Sequence, residues 1–515
     1  MEFISNHILT LILFTPVLSA VVLFLLPEDQ KSLLRWTALI LSLIPLALSL
    51  VLWFGFDRGQ AGFQFQEQYI WYPAINSSYH LGVDGISLTM VLLTTFLTPV
   101  AILASFNIKD RVKSYMILFF LVQLGELGVF LALDLLLFFV FWEFSLVPMY
   151  FLIDQWGSEK GEREIWGGRR VSARSYASFK FMVFTMAGSL GLLLATQMIG
   201  VVSGTFDLPT LFNSWTSLNT SLFGISISAV KAIAFWAFVI AFAIKIPIWP
   251  FHTWLPDAYT EAPTAGSMVL AGVMSKLGAY GFLRLVLPLY PTEAKYYAGA
   301  LAFLATAAII LGALAAYGQD DFKRLVAYSS VNHMGIVVLG IAAAAYAIGT
   351  QDATIAMNGA ILQMFNHGLY VAGMFFLAGV IYDRTQTRDM NEYGGLFPLV
   401  PIYGGILIFT SMASLGLPGL NGFISEFLVV RGAWPIFTVY TALSMIGLLM
   451  TGAYILKGIK KVLHGPLNEH WIGRLTEINS REIVVMVPLM VLMLWIGVWP
   501  NWILDVINRA VTMLF

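Results

Sequence analysis

The sequence predicts an all-α polytopic membrane protein of about 14 transmembrane helices, with two inverted five-helix repeats and broken helices 7 and 12. Three observations carry this reading. Of the 515 residues, 59% are hydrophobic and only 11% are charged, where soluble domains carry about 25% charged residues. Apolar runs of the ~20 residues needed to cross ~30 Å of hydrocarbon recur along the whole chain. Lysine and arginine are dense in alternate loops and sparse in the others, as the positive-inside rule requires.

In order, the runs lie at about 6–26, 33–56, 85–106, 113–131, 133–153, 175–200, 227–247, 264–287, 295–317, 324–347, 354–381, 397–414, 436–457 and 481–505. The twelfth is interrupted at Leu417-Pro418-Gly419 and resumes through Gly422 to about Val430. The N-terminal run lacks a basic flank and a small-residue cleavage site, so it reads as a retained first helix. Of the 28 Lys and Arg, 19 fall on one side: Lys31, Arg35, the basic residues of 109–113 and 160–174, Lys323, Arg324, Arg384, Arg388, those of 457–461, Arg474 and Arg481. The other side holds 6, namely Arg58, Lys231, Arg284, Lys295, Arg431 and Arg509, and Lys180, Lys245 and Lys276 lie within spans. The basic side is therefore expected in the cytoplasm, with both termini on the outer, periplasmic side of a bacterial plasma membrane.

The prolines that break helix 7 (Pro247, Pro250) and the Pro418-Gly419 break lie about 170 residues apart. That is near the length of five spans with loops, and an odd number of spans reverses orientation. Paired interruptions of this kind point to an inverted repeat with its site at the breaks. The expected units are 1–112 (three helices), 113–290 (helices 4–8), 291–460 (helices 9–13) and 461–515 (a loop and helix 14).

Composition also excludes chemistry. A net charge of −1 offers no basic surface for nucleic acid, and zero cysteines remove disulfides, thiolate nucleophiles and cysteine-held zinc or iron–sulfur clusters. No polar stretch is long enough to bury a soluble core. Any redox chemistry is expected in partner chains.

The informative residues are the charges inside the apolar runs. Glu143 (FFVFWEFSLVP) is on helix 5, Lys245 before the helix-7 break, Lys276 at the centre of helix 8, His333 on helix 10, His367 on helix 11 and Glu426 just past the break in helix 12. A lysine at mid-membrane costs about 2.5–3.5 kcal/mol on insertion scales, so such residues need a reason. Lysine changes protonation readily when buried, histidine is naturally poised, and interrupted helices expose N–H and C=O groups that hold water. The set reads as a proton relay. Each residue alone could be a structural ion pair or a hydrogen bond to a neighbouring helix, but six on six separate spans weaken that reading. The histidines lack metal-ligand spacing, so neither metal nor cofactor binding is expected. Glu126, Lys180, His252 and Asp257 are accessory candidates. Lys180 can equally snorkel to the interface, and His252 and Asp257 flank the break and are expected chiefly to shape it. The charged stretch at 158–174 is expected to be a solvated loop that contacts a partner or lipid head groups. Arginine is expected to be absent from the interior.

The segments FFVFWEFSLVPMYFLI, AIKIPIWPFHTWLPDAYTEAPTAGSMVLAG, KRLVAYSSVNHMG and LGLPGLNGFISEF resemble the antiporter-like subunits of respiratory complex I, over essentially the whole chain. The M type, called chain 4 in mitochondria, is the branch most resembled. Helix 12 carries a glutamate where the L and N types carry lysine, and a long lateral helix after helix 14, as in the L type, is not expected. The resemblance implies that Glu143 pairs with Lys245, that Lys276 is the central station, that His333 continues the path and that Glu426 ends it, with His367 as a further polar group. It also implies partners: L-type, N-type and small membrane subunits, and a peripheral arm holding flavin and iron–sulfur clusters that delivers electrons from NADH to quinone. The expected function is proton translocation driven by that remote electron transfer. The alternatives are a subunit of a multisubunit sodium/proton antiporter or of a membrane-bound hydrogenase, and a passive scaffold with frozen ion pairs.

Overall fold

The computed structural model describes residues 6–60, 62–165, 167–219, 221–222 and 224–514. Among these, 13 helices are long and apolar enough to cross a membrane. They are α1 (Ile8–Leu25), α2 (Lys31–Gly55), α3 (Gly85–Asn107), α4 (Val112–Leu131), α5 (Leu135–Trp156), α6 (Ala173–Ser203), α7a (Ile227–Lys245), α8 (Thr264–Leu289), α9 (Pro291–Tyr317), α10 (Phe322–Tyr346), α11 (Gln351–Thr385), α13 (Thr438–Leu463) and α14 (Ser480–Val498). The shorter α12a (Pro401–Leu415) and α12b (Asn421–Ala433) fill the twelfth place. Burial sorts the helices into layers. α8 and α11 are buried over their whole apolar window, whereas α2, α13 and α14 present most of theirs outward. The outward residues are large and apolar, among them Leu25, Phe54, Phe179, Leu190 and Leu449, as lipid requires.

Two interruptions position the site. α7a stops at Lys245 because Pro247 and Pro250 supply no backbone N–H. The freed Ile244 carbonyl accepts a hydrogen bond from Trp254 Nε1 at 3.0 Å, and the chain resumes as the short helix α7b (Leu255–Glu261). α12a ends at Gly416, whose φ of +82° suits the left-handed residue that closes a helix. A Cβ there would lie 3.0 Å from Glu426 Oε2, so the glycine also leaves room for that carboxylate. α8 contains two π-helical segments, Leu270–Met274 and Phe282–Val286, of the kind that free backbone carbonyls.

Several expectations change. The final span is shorter than 481–505: α14 ends at Val498, and Trp499-Pro500 separates it from an amphipathic helix, α15 (Asn501–Leu514). α15 buries Ile503, Val506, Ile507, Ala510 and Val511 and exposes Asp505, Asn508 and Arg509, the pattern of a helix lying along a surface. It rests on the start of α3, where a Cβ on Gly85 would meet Val506 O at 2.0 Å, and it meets α11 through Asn358 Nδ2 and Asn508 Oδ1 at 2.6 Å. The 57–84 segment contains an antiparallel hairpin, β1 (Gln64–Tyr72) with β2 (Ser77–Val83). From β1, Glu67 accepts hydrogen bonds from the N–H groups of Leu9 and Thr10 at the start of α1. The 158–174 stretch holds a second hairpin, β3 (Glu162–Glu164) with β4 (Arg170–Ser172), and is tied back through Lys160 Nζ to Gln386 O at 2.6 Å.

Arginine is not absent from the interior. Arg284, in the second π segment of α8, is 2% exposed and donates from Nη2 to Asp84 Oδ1 at 2.7 Å. Its sparse loop neighbourhood counts it as an outer residue, but the carboxylate that makes it affordable inside lies 200 positions earlier in the chain. Asp84 also caps α3 through the N–H groups of Ile86 and Ser87. Burial alone would raise its pKa, but the Arg284 charge and these hydrogen bonds outweigh burial and hold it below the usual aspartate value. Its contribution is therefore full above the ordinary aspartate pKa and fades as pH falls through the lowered value. Replacing Arg284 by Met strands a buried carboxylate, at a cost of about 3–5 kcal/mol. The expected outcome is a clear fall in the thermal midpoint of the purified protein at neutral pH, smaller in acid where Asp84 is protonated.

Candidate functional site

Buried polar groups of α8, α10, α11 and α12b form one line across the two expected five-helix units. Lys276 is 0% exposed, and its Nζ lies 2.6 Å from His367 Nδ1 while donating to Ala271 O at 2.5 Å and Ser275 Oγ at 3.3 Å. Ala271 lies in the first π segment, five residues back. The His367 and His333 ring centroids are 5.8 Å apart, and Tyr370 stands edge-on to both. His333 Nδ1 is 3.0 Å from Glu426 Oε1, and its Nε2 is 3.3 Å from both Ser414 Oγ and Tyr454 OH. Gln363 Nε2 donates to the same Glu426 oxygen at 3.2 Å and to Tyr370 OH at 3.0 Å, while its Oε1 accepts from Ser425 Oγ at 2.5 Å. Four helices thus supply one path from lysine to glutamate. His367 Nε2 is buried without a protein partner, so the polar capacity of the path is not exhausted.

The surroundings of Lys245 are arranged differently. Lys245, also buried, holds Nζ 5.2 Å from the centre of the Trp142 ring, a cation–π contact. Trp142 is fixed by donation from Nε1 to Ser189 Oγ at 3.0 Å. Among the described residues no carboxylate comes within 4.0 Å of Lys245 Nζ, so the expected Glu143–Lys245 contact pair is not formed. Glu143 is half-buried on a face whose neighbours Val140, Phe144 and Val147 are exposed. It acts on the Lys245 charge together with a second carboxylate, Glu126.

The accessory residues divide. Lys180 does not snorkel free: its Nζ donates to Asp257 Oδ2 at 2.7 Å, and Asp257 also meets Arg324 at 3.2 Å and Arg163 at 4.0 Å. One turn on, Glu261 meets Arg388 at 3.2 Å, and Arg388 meets Asp321 at 3.0 Å. Both carboxylates of α7b are therefore clamped, and Asp257 shapes the break. His252 stays near this cluster. Burial, then the Lys180 charge, push it below the usual histidine range, so it is neutral near pH 7. Below α8 lies a cavity of about 690 Å³ lined by Lys109, Arg111, Lys160, Thr264, Lys323, Asp383 and Arg388, among others. Among the described residues no three His, Asp or Glu side chains gather in a way that would hold a metal ion.

A family profile described as NADH:quinone oxidoreductase/Mrp antiporter, TM, matches residues 132–452, which include Glu143, Lys245, Lys276, His333, His367 and Glu426. The chain is 38% identical to NADH-quinone oxidoreductase subunit M of Rhodobacter capsulatus, over 98% of this chain and 96% of that protein. The chain belongs to this family. It is likewise 36% identical to NADH-ubiquinone oxidoreductase chain 4 of Marchantia polymorpha, over 99% and 97% of the two chains. A chain of respiratory complex I from Thermus thermophilus with bound NADH superposes with a TM-score of 0.82 at 26% identity, covering 98% of this chain and 99% of that one. A chain of the Mrp complex from Dietzia sp. DQ12-45-1b shares the fold, with a TM-score of 0.79 at 24% identity, over 98% of this chain and 52% of its own. This antiporter-family chain is accordingly an integral, multi-pass membrane protein of the antiporter-like subunit fold.

Sequence reading of this family member missed Gln363, Asn366, Tyr370, Ser425 and Tyr454, which complete the path from Lys276 to Glu426. Asn366 and Gln363 stand 1 and 4 residues before His367 on α11, and a polar stripe through an apolar run is the signal that would have found them. The path depends on close approach of α11 to α12b, where a Cβ on Gly359 would lie 2.6 Å from Val429 N. Gly359→Val is expected to force α12b away, break the Gln363–Glu426 contact and cost about 1–3 kcal/mol by overpacking. A lowered thermal midpoint checks this.

Proposed function

We propose that this chain is a proton-translocating membrane-arm subunit of an NADH–quinone oxidoreductase of the complex I type. It would sit in a bacterial plasma membrane with its basic loops in the cytoplasm and both termini outside. The single observation that carries the proposal is the Lys276–His367–His333–Glu426 line at the buried centre of the fold, hydrogen-bonded at both ends with the two imidazole rings adjacent in the middle. Every member can gain or lose a proton, and neighbours are near enough to exchange one directly or through one water. Family membership supplies the context. The relatives named above are subunits of NADH oxidoreductases. In this reading, flavin, iron–sulfur clusters and quinone belong to partner subunits, and this chain contributes no redox centre.

The mechanism follows from the two kinds of cluster. In the first half, Lys245 rests on an aromatic face with two carboxylates acting on it, so a change in the charge of either shifts its hold on a proton. A positive charge gained or lost at Lys245 then alters the proton affinity of Lys276 on the adjoining helix. Lys276 hands its proton to His367 Nδ1, and His333 delivers it to Glu426 beside the α12 break. One pKa unit corresponds to about 1.4 kcal/mol, the scale on which each step is biased. The two five-helix units, 113–290 and 291–460, and their inverted relation are part of this proposal. The paired interruptions of α7 and α12 support them.

The fold shared with the Mrp complex chain favours one other reading, a sodium/proton antiporter subunit. Lys276→Met in the assembled complex tests the main one. It should lower proton movement coupled to NADH oxidation at least about tenfold, while NADH–ferricyanide activity in the peripheral arm is unchanged. Normal proton stoichiometry in that variant overturns the relay. Sodium-dependent proton exchange without any co-purifying redox subunit would instead favour the antiporter.

A further inference from the structure

Among the described residues no hydrogen bond links Lys245 to Lys276 or to its partners Ala271, Ser275 and His367. One group lies at the gap. Glu126, on α4, is 0% exposed, and both of its carboxylate oxygens are buried without a protein partner. Gln123, one turn earlier on the same face and 1% exposed, leaves both of its amide atoms unpartnered as well. Glu143 adds one more such atom, Oε1. Buried polar atoms are nearly always satisfied, and a bare carboxylate in hydrocarbon is among the costliest of all. Four such atoms one turn apart on α4 are more than a purely structural helix has use for.

Two independent registers fix the depth of Glu126. α4 and α5 run antiparallel with glycines at their contact. A Cβ on Gly125 would lie 2.6 Å from Ser145 N, and one on Gly128 would lie 2.0 Å from the Phe141 ring. Glu126, between those glycines, is thus level with Glu143, between Phe141 and Ser145. α4 and α8 run parallel. Tyr115 and Ala265, near their starts, line the same cavity. Near their far ends Tyr280 OH donates to Phe130 O at 3.0 Å, with ring centroids 5.1 Å apart. One helical turn back from Phe130 is Glu126, and one turn back from Tyr280 is Lys276. Glu143, Glu126 and Lys276 therefore share one level, and Lys245 is the cation on which both carboxylates act.

From this placement, and resting on the proton-translocating reading above, we propose that Glu126 is the station that carries a proton from Lys245 to Lys276, with Gln123 holding the water that bridges the steps. In the first step an N–H bond of the Lys245 ammonium breaks and an O–H bond forms on Glu126, leaving a neutral amine and a carboxylic acid. In the second, Glu126 gives that proton to the neutral amine of Lys276 and returns to carboxylate. Charge and atoms balance without an oxidant or reductant. The route also explains why Lys245 has no contact carboxylate. A tight ion pair with Glu143 would hold the proton on Lys245, whereas a ring face and two carboxylates at a distance let it leave.

The test uses the intact NADH-oxidising complex with four forms of this chain: wild type, Glu126→Gln, Gln123→Leu and Lys276→Met. Glu126→Gln keeps the shape of the side chain and removes its exchangeable proton. It should lower NADH-driven proton movement at least about tenfold with NADH–ferricyanide activity intact. The redox-induced infrared difference spectrum of the wild type should contain a carboxylic-acid C=O band that disappears in Glu126→Gln. Wild-type proton stoichiometry in Glu126→Gln overturns the proposal. So does a loss of pumping when the wild type shows no such band, since Glu126 would then be a fixed counter-ion. If Glu126→Gln does not assemble, Gln123→Leu decides: reduced pumping supports the bridge, and wild-type pumping overturns it. Failure of the broader reading has a separate signature, a wild-type complex that moves no protons or a Lys276→Met complex that pumps normally.

Discussion

Lys276 and His367 meet at 2.6 Å between two helices that are buried along their whole apolar length, and much of the architecture serves to make that contact tolerable. An ammonium group in hydrocarbon needs oxygen or nitrogen around it. The first π segment of α8 answers by turning the Ala271 carbonyl toward Nζ, and Ser275 adds a hydroxyl. His367 is in turn steadied by Tyr370, which is held by Gln363, which also holds Glu426. The polar line is buried because it is continuous, and it is continuous because glycines such as Gly359 let α11 and α12b approach at backbone distance.

The Lys245 site solves the same problem with less matter. Lys245 has an indole face, fixed by Ser189, in place of a chain of hydrogen bonds. Such a contact lowers the cost of the charge without fixing where its proton goes. The two lysine sites thus differ in kind: one is wired and the other is poised.

Much of the fold was legible because hydrocarbon imposes length and apolarity on every span, and both leave a direct trace in sequence. Glu143, Lys245, Lys276, His333, His367 and Glu426 stood out for the same reason, as charges where charge is expensive. The rest was hidden for identifiable causes. Gln363, Ser425 and Tyr370 cost little in an apolar run and raise no alarm singly. Arg284 was misread because its partner Asp84 is remote in the chain. The Glu143–Lys245 pair was inferred from resemblance, and the indole of Trp142, which takes its place, looks like ordinary core in sequence. The first turn of α15 was absorbed into the last span, read to about 505, because its apolar stripe continues the run past Trp499-Pro500, and only its period distinguishes lying from spanning.

The fastenings at the two ends of the bundle are unlike. At the end where α14 finishes, α15 clasps α3 and α11 through backbone packing at Gly85 and a neutral amide pair, Asn358 with Asn508. At the opposite end α7b is held by Lys180, Arg324 and Arg388 on Asp257 and Glu261, with the cations still partly open to solvent. Dissolved salt reaches the second kind of fastening, at its partly open cations, and does not act on the first. Ionic strength on the basic side is therefore a one-sided lever on this molecule. Raising it acts on the seat of α7b, through the open flank of its cations, while the neutral clasp holds the far ends of the helices in register.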